Sequence, residues 1–163
     1  MTLPFDPHEL DPEEYGEART TLETDHESAI ERVREACLDE GFGVPVEFSP
    51  SELLNEKVDR EARSASGSRT QSDDADRDPY YVLGACNPQM ANRALDATDE
   101  RIGALFPCNM IIREVEPGTQ EVYHVSIMKI ARLLGLPTDD EEMDAIIGDT
   151  GEMVDAVFAE LEE

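Results

Sequence analysis

Two stretches of this sequence carry no charged residue, Pro79 to Asn92 and Ile102 to Ile112, although 32% of the 163 residues are Asp, Glu, Lys or Arg. An ionised side chain without a partner is expensive to take out of water. Segments that lack charges are therefore the ones a fold can enclose, and these two must lie near its centre. Both carry a cysteine motif, GACNP at 84–88 and FPCN at 106–109. Burial alone accounts for the absent charges, so a site and an inert core are both open readings at this point.

The rest of the chain supplies alternating extended and helical patterns. An extended stretch at 18–24 leads into Thr24-Asp25-His26-Glu27, a capping box, after which Ile30, Val33 and Cys37 share one helical face and Gly41 ends the helix. Gly43 to Phe48 reads as a strand, and Ser49-Pro50-Ser51-Glu52 opens a short helix through Leu53 and Leu54. From 59 to 78 the only apolar residues are alanines, so this segment is expected to be a mobile inserted loop. The tail is helical, starting at Asp139 to Glu142 behind a Thr138 cap, with Met143, Ile146, Ile147, Met153, Val154, Val157, Phe158 and Leu161 facing inward.

The two motifs can be placed on these elements. Tyr80 to Leu83 is strand-like, Gly84-Ala85 turns, and Asn87-Pro88 is an N-cap and first-turn pair opening a helix with Ala91, Ala94 and Leu95 inward. Cys86 then sits just outside a helix N-terminus, where free N–H groups and the helix dipole favour an anion or a thiolate. Asn109 to Val115 forms a strand that turns at Glu116-Pro117-Gly118-Thr119 and returns as Gln120 to Ile127. A two-residue loop sets Cys108 opposite Ile127, Met110 opposite Val125 and Ile112 opposite Tyr123 on the apolar side, and puts His124 on the other face, away from Cys108. Only a bulge reverses that.

Charge and length set the outer bounds. The chain has 39 acidic and 13 basic residues, for a net charge of -26, and only Lys57 and Lys129 are lysines. This sign is opposite to that of a nucleic-acid-binding surface, so neither nucleic acid nor anionic membrane is an expected partner. Such self-repulsion is tolerable where salt screens it, the Debye length falling from about 8 Å at physiological salt to about 3 Å at 1 M. A halophilic, cytoplasmic protein is expected. No basic and apolar leader opens the chain, and no 18 apolar residues run together. Length favours a single domain from 18 to 163, preceded by an arm or disordered lead at 1–17.

No metal site is expected, because the two motif cysteines are 22 residues apart and neither belongs to a metal-binding pair. No dinucleotide, P-loop or Ser-His-Asp pattern points to a cofactor or reaction. Cys37 is a core thiol, and His8 and His26 are solvated.

GFGVPVEF (41–48), YYVLGACNPQMANRAL (80–95) and IGALFPCNMIIREVE (102–116) together resemble the family called domain of unknown function 302, over about residue 18 to the C-terminus. Two departures are the 59–78 insertion and Met128-Lys129-Ile130 in place of the family's aspartate-proline. The resemblance implies a compact α+β domain, a curved antiparallel sheet with helices on one face, similar to TATA-binding-protein-like folds. It implies Gly84, Cys86, Asn87, Pro88, Pro107, Cys108 and Asn109 as the functional cluster, and no activity.

Three readings follow. In the first, the cluster holds a small anionic or polar ligand at the helix N-terminus. In the second, Cys86 is the nucleophile of a thiol redox or sulfur-handling enzyme and Cys108 resolves it. In the third, both cysteines are structural in an interaction domain. The apolar helix faces also allow a homodimer.

Overall fold

The computed structural model describes residues 6–57 and 76–163. Strands β1 (Ala18–Glu23), β2 (Gly43–Phe48), β3 (Tyr80–Cys86), β4 (Cys108–Glu116) and β5 (Thr119–His124) form one open antiparallel sheet in the order β1-β5-β4-β3-β2. The helices are α1 (Pro12–Tyr15), α2 (His26–Asp39), α3 (Pro50–Lys57), α4 (Pro88–Asp96), α5 (Ile127–Leu133) and α6 (Asp140–Leu161), with 3-10 turns at Pro7–Glu9 and Arg101–Leu105. This is the expected α+β architecture in a single domain. No described helix is long and apolar enough to cross a membrane.

Local chemistry explains the element ends, with small corrections. Asp25, rather than Thr24, caps α2: its carboxylate accepts from the Ser28 N–H at 2.9 Å and from the Ser28 hydroxyl at 2.7 Å. The helix buries Ala29, Ile30, Val33, Ala36 and Cys37, spaced three and four apart, and the chain leaves it through Gly41 at φ 83°, a conformation that favours glycine. Asp139, rather than Thr138, caps α6, and Asp140, Glu141 and Glu142 suit the positive end of its dipole. The return strand expected to run to Ile127 stops at His124. Ser126 instead caps α5 by accepting from the Lys129 N–H.

Two apolar clusters result. The larger lies between the sheet and helices α2 and α6, with Leu83, Met110, Ile112 and Val122 from the strands, Val33 and Cys37 from α2, and Val157 and Phe158 from α6. The second lies at one end of the sheet and joins Ala94 and Ile102 to Ile127, Met128, Met143 and Ile146. Helix α6 serves both, its first half in one cluster and its second half in the other. Each fully buried aliphatic side chain contributes roughly 1.5–3 kcal/mol, so this long helix ties the clusters together.

A bulge alters the expected face of β5. Glu116 pairs with Thr119, as a two-residue loop requires, but the next pair is Glu114 with Gln120, leaving Val115 unpaired. From there on the register is one residue out from the expected one: Ile112 faces Val122 and Met110 faces His124. Gln120, Val122 and His124 therefore point into the core, and the expectation that His124 lies across the sheet from Cys108 is wrong.

Residues 59–75 of the expected insertion lie outside the described residues, as do 1–5 of the lead. From Asp11 on, the lead packs against α5 rather than standing off as an arm. The Tyr15 carbonyl accepts from the Ser126 N–H at 3.0 Å, and the Glu13 carbonyl accepts from Lys129 Nζ at 2.7 Å. Gly16 permits this approach, because a Cβ there would stand 2.6 Å from the Ser126 Cβ and its φ is 66°.

Candidate functional site

The two cysteine motifs interlock where β3 meets β4. Ala85 pairs with Cys108, Gly84 pairs with Asn109, and a Cβ on Gly84 would come within 2.6 Å of Pro107 Cγ and 3.0 Å of the Val46 carbonyl oxygen. Gly84 is thus the notch into which Pro107, preceded by a cis peptide bond, is seated.

Asn87 is likewise fully engaged. Its Oδ1 accepts from the N–H groups of Gln89 and Met90, both at 3.0 Å, and its Nδ2 donates to the Gly41 carbonyl at 3.0 Å. Pro88 has no N–H, and the Ala91 N–H bonds the Asn87 carbonyl at 2.9 Å. The first turn of α4 therefore has no free donor for an anion, contrary to the sequence expectation.

Cys86 and Cys108 do come together. They share the lining of a cavity of about 20 Å³ with Phe106, Met90, Met128 and Thr150. All three cysteines are free thiols. Burial, and next the neighbouring Cys86, push the Cys108 thiol up to about 12, and burial does the same to Cys37.

Cys108 also lines a larger cleft of about 320 Å³, together with His124, Ser126, Thr150, Glu17 and Asp155. This cleft lies at the seam of the two apolar clusters, between Phe42 and Val154 of one and Ile127, Met128 and Ile147 of the other. One wall is the docked lead around Gly16. Another is the stretch of α6 containing Gly151, where no side chain closes the space.

His124 is the group in this cleft whose state is most tightly defined. It is 2% exposed, and its Nδ1 lies 2.9 Å from the Asn109 carbonyl oxygen. A carbonyl can only accept, so Nδ1 carries the proton and Nε2 a lone pair. Burial lowers the pKa of the ring, with the Asn109 bond opposing only in part, which favours the neutral form. Among the described residues Nε2 makes no hydrogen bond, and because no enclosed side-chain nitrogen or oxygen lacks a partner, Nε2 is accessible at the cleft that His124 lines. A neutral imidazole and a neutral thiol thus line one space. This differs from the thiolate–imidazolium pair of a resting cysteine nucleophile. Among the described residues no three His, Cys, Asp or Glu side chains are grouped so as to hold a metal ion.

With this geometry in view, comparison with known proteins places the chain. The family model described as Domain of unknown function DUF302 matches residues 18–161. The chain belongs to the DUF302 family. No curated protein matches it. The crystal structure of an uncharacterized conserved DUF302 protein from Bacillus stearothermophilus is similar, with a TM-score of 0.66 and 24% identity over 89% of this chain and 97% of that one. At that identity the likeness speaks for the fold.

Within this DUF302 domain the motif residues divide. Gly84, Asn87, Pro88 and Pro107 shape the β3–α4 corner, and Asn109 contributes its backbone carbonyl to His124 while its side chain faces solvent. Cys86 and Cys108 remain beside open space. His124, Thr150 and Ser126 were missed by the sequence reading. The unpaired Val115 hid His124, and Thr150 lies within an otherwise ordinary helical stripe. His26, expected to be solvated, bonds through Nδ1 to Oε1 of the buried Gln120 at 2.7 Å.

Proposed function

We propose that this domain binds a small polar molecule in the cleft between α6, α5 and the docked lead, with His124 and Cys108 at its floor. The observation that carries this reading is the buried His124, whose ring is fixed by the Asn109 carbonyl and whose Nε2 faces the cleft unpaired. No enclosed side-chain nitrogen or oxygen among the described residues lacks a partner, so the unpaired Nε2 is open to the cleft and available to a ligand donor. A cleft of about 320 Å³ is at the lower end of the small-molecule range and combines apolar walls with a few polar groups, as such sites do.

The test is an NMR-detected fragment screen in concentrated KCl, run on wild type and His124→Phe. Wild type is expected to bind fragments that shift the resonances of Gly151, Ser126 and Cys108, and the variant to lose them. Fragments that bind only elsewhere, or equally to both proteins, would remove the cleft as the site.

A second reading rests on the cavity shared by Cys86 and Cys108. In it the pair performs thiol chemistry, with Cys86 as the attacking group because the Cys108 thiol is held protonated by burial. Alkylation against pH, with Cys86→Ser and Cys108→Ser for comparison, separates this reading from a pair that only packs.

A further inference from the structure

Resting on that cleft reading, we infer that its ligand is a hydrogen-bond donor without negative charge, so that the site selects amides, alcohols or amines and rejects carboxylates and phosphates. Four features of the cleft lead to this. The acceptor at its floor, His124 Nε2, is a lone pair on a neutral ring and matches an N–H or O–H of the ligand. Cys108 beside it is a thiol, and a weak donor at best, so it offers no positive charge or strong N–H to an anion.

The charged groups around the cleft point the same way. Glu13, Glu17 and Asp155 line it against a single cation, Lys129, whose Nζ already donates to the Glu13 carbonyl at 2.7 Å. One nearby source of backbone donors, the first turn of α4, is also closed. At α4 Asn87 occupies the first turn, whereas at α5 the Ser126 and Lys129 N–H groups bond the Tyr15 carbonyl and the Ser126 hydroxyl and those of Ile127 and Met128 stay unbonded among the described residues. An anion entering here finds the Lys129 ammonium and the Ser126 hydroxyl but also the three carboxylates of Glu13, Glu17 and Asp155, so the net negative charge of the lining disfavours it. A neutral or cationic donor meets a ready acceptor. The rim carboxylates are screened at high salt, but the floor is not, so the preference persists in KCl.

Acetamide, acetamidinium and acetate have nearly the same shape and differ in charge and donors, which makes them suitable probes. The readout is the His124 Nε2 resonance in a long-range nitrogen–proton correlation spectrum, in concentrated KCl at neutral pH, with each probe at about 100 mM to allow for the weak binding of so few atoms. Acetamide and acetamidinium are expected to shift Nε2 progressively, and acetate to leave it in place. His124→Phe, followed through the Gly151 amide, should weaken acetamide binding about tenfold. Acetate moving Nε2 as much as acetamide does would overturn the charge preference while leaving the cleft a site. If none of the three moves Nε2 and the fragment screen finds no cleft ligand, both readings fall together. If the screen finds cleft ligands but they are carboxylates, only this inference falls.

Discussion

His124 stands directly opposite Met110 in the β4–β5 ladder, so its ring shares a sheet face with Cys108, two residues along β4. That relationship exists because Val115 is unpaired, which turns β5 by one residue and carries Gln120 and His124 inward. The candidate site therefore depends on the bulge as much as on the cysteines.

The first consequence concerns pH. Burial lowers the His124 pKa below its ordinary value of 6.5, so the unfolded chain binds this proton more readily than the folded one. Stability from the neutral ring is then complete above about 6.5 and is lost as pH falls toward the lowered folded value. Denaturant melts in concentrated KCl should show wild type losing more stability than His124→Asn between pH 7.5 and pH 5. Parallel losses in the two proteins would mean that the ring is not held neutral.

Thiol reactivity should be unequal. Cys37 is enclosed and Cys108 is held as a thiol to about 12, whereas Cys86 is partly exposed at the end of β3. Native alkylation at pH 8 is expected to label Cys86 first, with Cys108 and Cys37 reacting only on unfolding. The raised Cys108 value carries its own pH signature: the stability it supplies is intact below about 9 and is lost as pH rises toward 12. Rapid labelling of Cys108 in the folded protein would contradict this assignment.

Gly84→Ala tests the interlock of the two motifs. The added Cβ meets Pro107 Cγ at 2.6 Å and the Val46 carbonyl at 3.0 Å, so the strand or the Pro107 loop must move. A loss of about 1–3 kcal/mol is expected from overpacking of this kind, read as a lower denaturation midpoint. Unchanged stability would show that the notch is slack.

Much of this architecture is legible in the sequence, because the strands and helices follow apolar periodicity and marked caps. The β3–α4 corner is an example: Asn87-Pro88 announces a helix start, and Ala94 is buried inside it. The function of that cap was not legible, since Asn87 closing the first turn and reaching the Gly41 carbonyl depends on a contact between distant segments. β5 shows a second limit. Its inward residues include Gln120 and His124, so polarity disguises the buried face, and only the pairing with β4 reveals it. The cleft itself is invisible in one dimension, because Gly16, Cys108, His124 and Gly151 come together only through tertiary packing.

Salt dependence follows from the charge. With a net charge of -26, folding in dilute buffer must overcome self-repulsion that concentrated KCl screens. Circular dichroism should show structure lost at low salt and regained on adding KCl. A fully folded protein in dilute buffer would argue against salt adaptation.

The most direct test of the central claim is the protonation state of the His124 ring, read from its two nitrogen resonances in a long-range nitrogen–proton correlation spectrum at neutral pH in KCl. The predicted result is a neutral ring protonated at Nδ1, with Nε2 bearing the lone pair that faces the cleft. A ring protonated at Nε2, or an imidazolium, would contradict it.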